Sequence, residues 1–285
     1  MIKYLGAKQI RDLAKELNLK PTKKLGQNFV IDSNTCRKIV DLANISKSDL
    51  VIEIGPGLGS LTLALLDQAG HVVAVEIDKR LSDQLLETVI ENGADKNRLT
   101  ILNMDALQLS AADIANQHLG GFKSIKVVAN LPYNISVPVI INLLENFNNL
   151  NQITVMVQTE VAQRLAAKAG NKDYGAPSAK VAWWADAKIV SKISRKVFWP
   201  EPNVDSSIIQ LSVRKSLGSE KLRRACFQVI DLAFSTRRKM LRSTLSTLFG
   251  SVKLAEARLS EIGINPTLRG ESLEIKDFLK IAELL

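Results

Sequence analysis

The sequence predicts an α/β protein in which a parallel sheet is covered by helices on both faces and a small all-α domain follows. Apolar runs of strand length alternate with helical patterns between Leu50 and Gln158, an arrangement typical of βαβ units. These runs are nearly continuous, as expected for strands that are buried on both faces. After Gly218 only helical patterns occur, as far as Leu285.

Two helices are predicted before the sheet. Apolar residues recur at helical spacing within residues 6–18, and a polar link, Lys20–Lys24, follows them. A second helix is predicted over residues 33–44. Ser33 is its predicted N-cap, because a serine hydroxyl can accept a free amide hydrogen of the first helical turn.

Strands and connecting helices then alternate along the chain. Apolar runs bounded by turn signals predict strands at 50–54, 71–75, 99–103, 125–129 and 153–158. Helical patterns between or after them predict helices at 58–69, 78–91, 136–146 and 159–168. Two later runs, residues 188–193 and 207–213, alternate in polarity and are expected at the edge of the sheet.

The stretch Ser216-Leu217-Gly218 marks the predicted domain boundary, because the pattern changes there and small residues favour a linker. We predict a larger domain over residues 1–215, beginning with a basic segment at 1–26, and a helical domain over 216–285.

Positive charge is concentrated in two blocks. The chain has 38 Lys and Arg against 29 Asp and Glu, a net charge of +9. Residues 1–26 contribute +5 and residues 214–242 contribute +7, so the remainder of the chain is slightly acidic at −3. A solvated helix face is the alternative for either block alone. Two blocks around an acidic centre favour docking to a nucleic acid.

Composition excludes several classes of protein. With 46% hydrophobic and 24% charged residues, the chain has the composition of a folded protein. Cys36 and Cys226 lie far apart, without a partner at metal-ligand spacing, and are expected to be reduced and buried. His71 and His118 lie near no motif, so no metal site is expected. The chain lacks the apolar segment of a signal peptide and any run long enough to span a bilayer, so we expect a cytoplasmic protein.

A glycine-rich segment after the first predicted strand indicates a cofactor site. Glu53-Ile54-Gly55-Pro56-Gly57-Leu58-Gly59 lets the backbone turn sharply and approach a ligand at the carboxyl edge of the sheet. Glu76 ends the next strand, 21 residues after Gly55, where a carboxylate can accept hydrogen bonds from two ribose hydroxyls. The spacing is one residue short of the Gly-x-Gly-x-x-Gly pattern for a pyrophosphate, so it favours S-adenosylmethionine. A tight turn without a ligand is the alternative.

Two further segments bring polar groups to the same edge. Asp105 follows the third strand, where its carboxylate can accept an adenine amino group or cap a helix. Asn130-Leu131-Pro132-Tyr133 follows the fourth strand. The side-chain oxygen of Asn130 and a backbone carbonyl near Leu131 can accept both hydrogens of an exocyclic adenine amine. No ionised base is needed, because the amine becomes a strong acid once it is alkylated.

Aromatic side chains complete this prediction. Pro132 fixes the turn, and Tyr133 offers a ring on which a base can stack. Phe198 is a candidate for an aromatic opposite Tyr133, with a buried core position as the alternative. Stacking contributes roughly 1–3 kcal/mol per base, which helps to hold a base that has left its own stack. The sequence therefore predicts a Rossmann-like, S-adenosylmethionine-dependent methyltransferase that acts on adenine.

These motifs resemble those of the ribosomal RNA adenine N6-dimethyltransferases, which dimethylate two adjacent adenosines of the small-subunit rRNA, and are similar to those of the erythromycin-resistance rRNA methylases. The resemblance runs from about Lys24 to the C-terminus. It rests on the glycine-rich segment and on five others, Leu25–Val30, Asn130–Ser136, Gln158–Arg164, Phe198–Ser206 and Phe234–Lys239. The family commonly has Leu at Val30 and Phe at Leu25, changes that keep an apolar wall.

The resemblance implies roles for individual residues. It implies a cofactor pocket lined by Asn28, Val30, Gly55, Gly57, Glu76, Asp105 and Asn130. It also implies that the helical domain binds RNA through Arg237, Arg238, Lys239 and Arg242. The implied substrate is the 3′-terminal hairpin loop of 16S rRNA, within a precursor of the small ribosomal subunit, and we expect a monomeric enzyme.

Three other functions stay open at this point. A nicotinamide-dependent oxidoreductase has a related sheet, but the third glycine and an acid–base His or Tyr-x-x-x-Lys set are missing. A ribosome-assembly factor with an idle site is disfavoured by the intact Asn130, Pro132 and Tyr133. A DNA adenine methyltransferase is disfavoured because Gln27-Asn28-Phe29 and Phe234–Lys239 match RNA enzymes.

Overall fold

The computed structural model describes residues 1–19, 27–117 and 119–285. The predicted link Lys20–Lys24, the motif residues Leu25 and Gly26, and His118 lie outside the described residues.

The described chain divides into two compact units. One consists of Met1–Ala162 and Lys188–Val213, and the other of Gln163–Ala187 and Arg214–Leu285. The second unit thus includes residues 163–187, which the predicted division after residue 215 leaves in the larger domain.

Strands occur at every predicted position. They are β1 (Phe29–Val30), β2 (Asp49–Ile54), β3 (His71–Glu76), β4 (Leu99–Asn103), β5 (Ser124–Asn130), β6 (Leu150–Gln158), β7 (Ala185–Ile193), β8 (Phe198–Trp199) and β9 (Ser206–Val213). Seven form one sheet in the order β4-β3-β2-β5-β6-β9-β7, and β1 pairs with β8. Every residue of β2 and β3 is buried, so both faces of the sheet are covered there.

The five strands predicted to form a parallel sheet do so, and the two later strands make the complete sheet mixed. Strands β2 to β6 pair in parallel, but β9 runs antiparallel to β6. It also lies inside the sheet, so only β7 of the two later strands is an edge. The serines of β9 misled the prediction because the hydroxyls of Ser206 and Ser207 are satisfied internally. Ser206 Oγ lies 2.7 Å from the Tyr133 hydroxyl, and Ser207 Oγ lies 3.0 Å from Thr159 Oγ1.

The helices also follow the predicted order. They are α1 (Ala7–Glu16), α2 (Ser33–Ala43), α3 (Ser60–Gln68), α4 (Lys79–Glu91), α5 (Ala111–Ala115), α6 (Ser136–Asn146), α7 (Thr159–Ala166), α8 (Ala176–Val181), α9 (Glu220–Ser235), α10 (Leu241–Thr244), α11 (Ser246–Phe249), α12 (Val252–Glu261) and α13 (Ile275–Ala282). Residues 216–285, all of which the structure describes, contain helices and turns and no strand.

Helix α2 begins one residue earlier than its predicted cap requires. Ser33 is the first helical residue, and Asp32 is the N-cap. The Asp32 carboxylate accepts hydrogen bonds from the Thr35 amide at 2.9 Å and the Thr35 hydroxyl at 2.6 Å. The prediction of Ser33 as the cap was therefore wrong, because the acid before it reaches the same amide and also carries the charge that a helix N-terminus favours.

Each unit has its own apolar core. In the first, buried residues of α1, α2 and α3 form one cluster with Phe29 and Val30. In the second, Trp183 and Phe278 are fully buried, and the ring of Phe227 meets that of Trp183 edge to face.

The cysteines and His71 are structural, as predicted. Cys36 and Cys226 are free and buried, and burial raises the pKa of each thiol to about 12. His71 is buried, with Nε2 2.8 Å from Thr100 Oγ1. Among the described residues, no three His, Cys, Asp or Glu side chains are grouped to hold a metal ion. No described helix has the length and apolarity needed to cross a bilayer.

Candidate functional site

A cavity of about 230 Å³ lies at the carboxyl ends of the parallel strands in the first unit. Parallel strands bring their following loops to one edge of a sheet, where α/β proteins bind ligands. The loops after β2, β3, β4 and β5 all line the cavity, together with the segment around β1. It brings together all seven residues predicted to hold the cofactor, namely Asn28, Val30, Gly55, Gly57, Glu76, Asp105 and Asn130.

The glycine-rich loop adopts a backbone that side chains resist. Gly55 and Gly57 both have φ in the left-handed region, at +67° and +57°. A Cβ on Gly57 would lie 3.0 Å from the ring of Phe29. The loop can therefore turn beneath the β1 segment only because no side chain is present at this position.

Glu76 ends β3 with both carboxylate oxygens engaged. Oε1 accepts the Asp78 amide at 2.9 Å, and Oε2 accepts the Gly57 amide at 3.2 Å. Burial raises the pKa of Glu76, and the two amide hydrogen bonds oppose that rise. Each carboxylate oxygen has a second lone pair, so the group can still accept hydroxyl hydrogens from a ligand in the cavity.

Glu53 is a cavity residue whose role sequence analysis missed. Its side chain is 1% exposed, and its Oε2 accepts the Thr62 hydroxyl at 2.7 Å. Burial raises its pKa to about 8, with a further contribution from the negative charge of Glu76. The carboxyl is therefore mostly protonated at neutral pH. The sequence signal for Glu53 was an acidic residue within the apolar run predicted as a strand over residues 50–54.

Asp105 caps a helical turn, which was the alternative to a ligand-binding role, and it also lines the cavity. Its Oδ1 accepts the Leu107 amide at 2.9 Å, which caps the short 3₁₀ turn Ala106–Gln108. The cap orients the carboxylate and leaves the second oxygen for a ligand donor. Two exposed apolar side chains, Ile77 and Leu107, line the same part of the cavity. Neither was predicted, because a single surface-exposed aliphatic residue gives no sequence signal.

Asn130, at the end of β5, contains an unsatisfied acceptor. Its Nδ2 donates to the Asn28 carbonyl oxygen at 3.0 Å. Only the amide nitrogen can donate to a carbonyl, so this bond fixes which end of the side chain is the oxygen. Oδ1 is buried, and no group within the described parts of the chain donates to it. An unpaired buried oxygen costs about 1–3 kcal/mol, so it is a notable feature in a side chain that lines a cavity.

Of the other residues in the segment Asn130–Tyr133, one lines the cavity and the others lie outside its lining. Pro132 lines the cavity, 3.6 Å from where a Cβ of Gly55 would stand. Leu131 is buried and donates its amide to the Met156 carbonyl at 3.1 Å. Tyr133 is half-buried beside Ser206 outside the cavity lining, and burial raises its pKa.

Phe198 lies in the hydrophobic core, the alternative noted for it. It pairs with Val30 between strands β8 and β1, is 2% exposed, and is absent from the cavity lining. In this conformation its ring is covered, so its stacking opposite Tyr133 stays a prediction.

The basic residues predicted to bind RNA lie in the second unit. Arg237 donates to the Lys172 carbonyl and lies 3.4 Å from Glu271, and Arg242 lies 3.0 Å from Glu256. Arg238 and Lys239 are exposed, and neither side chain forms an ion pair within the described ranges. Among the described residues, two of the four cations thus have a carboxylate partner and two have none.

Known proteins resemble this chain over nearly its whole length. The chain is 48% identical over 282 residues to ribosomal RNA small subunit methyltransferase A of Thermobifida fusca, covering 99% of this chain and 96% of that protein. It is also 48% identical to the protein of the same name from Corynebacterium diphtheriae, covering 98% and 95%.

Solved structures show the same fold. The chain matches a dimethyladenosine transferase from Plasmodium falciparum with a TM-score of 0.72 and 26% identity, covering 88% of this chain and 94% of that one. It matches the 23S rRNA methyltransferase ErmE with a TM-score of 0.65 and 24% identity, covering 90% and 98%.

The sequence profile of the family described as ribosomal RNA adenine dimethylase matches residues 18–285. This match spans both units, so it includes the cavity and the basic residues alike. The fold class and the family resemblance predicted from the sequence are confirmed, and this chain belongs to the ribosomal RNA adenine dimethylase family.

Proposed function

We propose that the chain transfers methyl groups from S-adenosylmethionine to the N6 amino groups of two adjacent adenosines in small-subunit rRNA. The observation that carries this proposal is the buried Oδ1 of Asn130, in a cavity-lining side chain, to which none of the described residues donates a hydrogen bond. An adenine amine supplies the hydrogen-bond donor that this oxygen lacks.

The residues of the cavity fit S-adenosylmethionine. Gly55 and Gly57 leave the backbone open to a ligand, Glu76 can accept ribose hydroxyls, and Asp105 can accept an adenine amino group. The third glycine of the loop, Gly59, lies one residue short of its position in a pyrophosphate site, which disfavours a dinucleotide. When bound, S-adenosylmethionine supplies a methyl group activated by a positively charged sulfur.

The chain's own residues then have distinct tasks. Asn130 is held by the Asn28 carbonyl, so its oxygen is oriented before the substrate arrives. Accepting an N–H bond from the adenine amine draws electron density toward the nitrogen, which makes it a better nucleophile. A main-chain carbonyl near Leu131 is the proposed second acceptor, and the Tyr133 ring is the proposed stacking partner for the base.

The finer features of the substrate belong to this proposal. We infer that the enzyme acts as a monomer in the cytoplasm, on the 3′-terminal hairpin loop of 16S rRNA within a precursor of the small subunit. Arg238 and Lys239 support RNA binding because they are exposed cations without carboxylate partners among the described residues. Arg237 and Arg242 would have to exchange their carboxylates for phosphates.

The test uses labelled S-adenosylmethionine and undermethylated small ribosomal subunits. After incubation the rRNA is digested, and the proposal requires dimethyladenosine from two adjacent positions. Asn130→Ala should produce almost none, whereas Asn97→Ala, which removes an exposed amide, should match the wild type. Preferential binding of NAD, or label in another base, would contradict the proposal.

A further inference from the structure

A third group of cations lies outside both basic blocks. Residues 188–196 include Lys188, Lys192, Arg195 and Lys196 and no acidic residue. All four side chains are exposed, and all belong to the first unit. We define these four residues as the edge patch.

The edge patch follows the free edge of the sheet. Strand β7 pairs with β9 on one side only and is the last strand in the sheet order. Side chains of a strand alternate between faces, so Lys188 and Lys192 lie on the same face. Their separation is about 13 Å, given a rise of about 3.3 Å per residue. The patch then continues past the end of β7, into the 3₁₀ turn Arg195–Val197.

Most of this charge is uncompensated. Arg195 lies 2.9 Å from Glu201, and its amide donates to Asp205 at 3.0 Å. The side chains of Lys188, Lys192 and Lys196 form no ion pair with any described residue. Three neighbouring cations without a carboxylate raise the local potential and favour a partner with closely spaced negative charges.

Edge lysines can also serve to prevent strand-to-strand association. Preventing such association requires charged side chains only along β7, and acidic side chains there would prevent it as well. The edge patch is of one sign and extends beyond the strand to Arg195 and Lys196, where there is no ladder to protect. These two features favour binding of a polyanion.

The edge patch is also connected to the cavity wall. The 3₁₀ turn leads directly into β8, and the Ile31 amide donates to the Val197 carbonyl at 2.8 Å. Strand β8 pairs with β1, whose Phe29 and Val30 line the cavity. We propose that Lys188, Lys192 and Lys196 bind the phosphate backbone of the substrate RNA, as a contact surface on the unit that contains the cavity. This inference rests on the proposed function.

The test measures how RNA affinity depends on salt. The double variant Lys188→Ala/Lys192→Ala is compared with Lys96→Ala/Lys276→Ala, which removes the same charge from exposed lysines elsewhere. The probe is unmodified small-subunit rRNA, titrated between about 0.05 and 0.2 M salt. Losing two phosphate contacts should reduce the magnitude of the negative slope of log K against log salt by about 1.4 to 1.8, with no change in the control. Adding Lys196→Ala should lower it by about 0.7 to 0.9 more.

Other results of this experiment would overturn either the inference or the proposed function. An unchanged slope together with self-association of the double variant in sedimentation would show that the lysines only protect the edge, and would overturn the inference. Equal slope losses in variant and control would overturn it too, because the effect would then be one of net charge. If the wild-type protein neither binds rRNA nor forms dimethyladenosine, the proposed function itself fails. Cofactor binding and the methylation rate at saturating RNA should stay at wild-type values in both double variants.

Discussion

The carboxyl ends of β3 and β5 both bring a polar side chain to the cavity, but the hydrogen-bonding groups of the two are satisfied differently. At the end of β3, each oxygen of Glu76 accepts a backbone amide. At the end of β5, the nitrogen of Asn130 is paired, and its oxygen has no partner among the residues that the structure describes. Both oxygens of the β3 side chain thus have protein donors, whereas the β5 side chain has an acceptor for which no described residue supplies a donor. Unsatisfied groups of this kind are tolerated where function requires them.

The largest effect is expected from removing the unpaired oxygen. Asn130→Ala should lower kcat by about 100- to 1000-fold, the range seen when one preorganised polar contact is lost from an active site. RNA affinity should change little, because the phosphate contacts remain. Rates of dimethyladenosine formation at saturating cofactor and RNA measure this, with Asn97→Ala as the control. Near-wild-type turnover would remove Asn130 from the mechanism.

A smaller effect is expected from a substitution at the end of β3, and it concerns cofactor affinity rather than kcat. Glu76→Gln replaces a charged acceptor with a neutral one and should weaken S-adenosylmethionine binding by roughly 10- to 100-fold, since a hydrogen bond to a charged group contributes about 1.5–3 kcal/mol. At saturating cofactor kcat should be largely retained. Titration calorimetry gives the affinity, and Glu91→Gln on the exposed face of α4 is the control. A loss of kcat with unchanged affinity would reverse the roles assigned to the two strand ends.

Glu53 predicts a pH-dependent stability. Its pKa is raised from 4.5 to about 8 in the folded chain, mainly by burial. Between these values the unfolded chain releases a proton that the folded chain retains, so stability is full below about pH 4.5 and falls as pH rises toward 8. The loss can reach roughly 1.4 kcal/mol per pH unit.

This prediction is measured by denaturant unfolding across that pH range. Glu53→Gln should lose less stability than the wild type as pH rises, whereas the exposed Glu87→Gln should follow the wild type. Parallel curves for wild type and Glu53→Gln would show that the carboxyl is ionised in the folded protein.

The smallest effect on kcat is expected from substitutions in the second unit. Arg238→Ala/Lys239→Ala should leave kcat at saturating RNA unchanged, because neither residue belongs to the unit that contains the cavity. The magnitude of the negative slope of log K against log salt should decrease by about 1.4 to 1.8 as two phosphate contacts are lost. Salt titrations of rRNA binding measure it. A lower kcat at saturation would mean that these cations contribute to more than binding.

The sequence predicted those parts of the molecule that depend on local pattern. The strands, the glycine-rich loop and Asn130 were found because apolar periodicity and the loops after parallel strands are visible in the chain itself. Ser33 was misjudged because two adjacent residues could cap the same helix. The serines of β9 were misjudged because their hydroxyl partners are distant in sequence.

The remaining features of the site depend on tertiary contacts. The unpaired oxygen of Asn130 follows from a bond to Asn28, 102 residues away, which no local pattern encodes. The raised pKa of Glu53 follows from complete burial and from Glu76 nearby. The core position of Phe198 follows from the pairing of β8 with β1. In each case the residue type was visible, but its environment was set by distant parts of the chain.

The most direct test is a crystal structure of the protein with S-adenosylhomocysteine and a substrate RNA fragment that contains the two adjacent adenosines. The account predicts an adenine N6 within about 2.7–3.2 Å of Asn130 Oδ1, with Nδ2 still donating to the Asn28 carbonyl. An adenine bound elsewhere, or an Asn130 side chain turned away from a purine in the cavity, would contradict it.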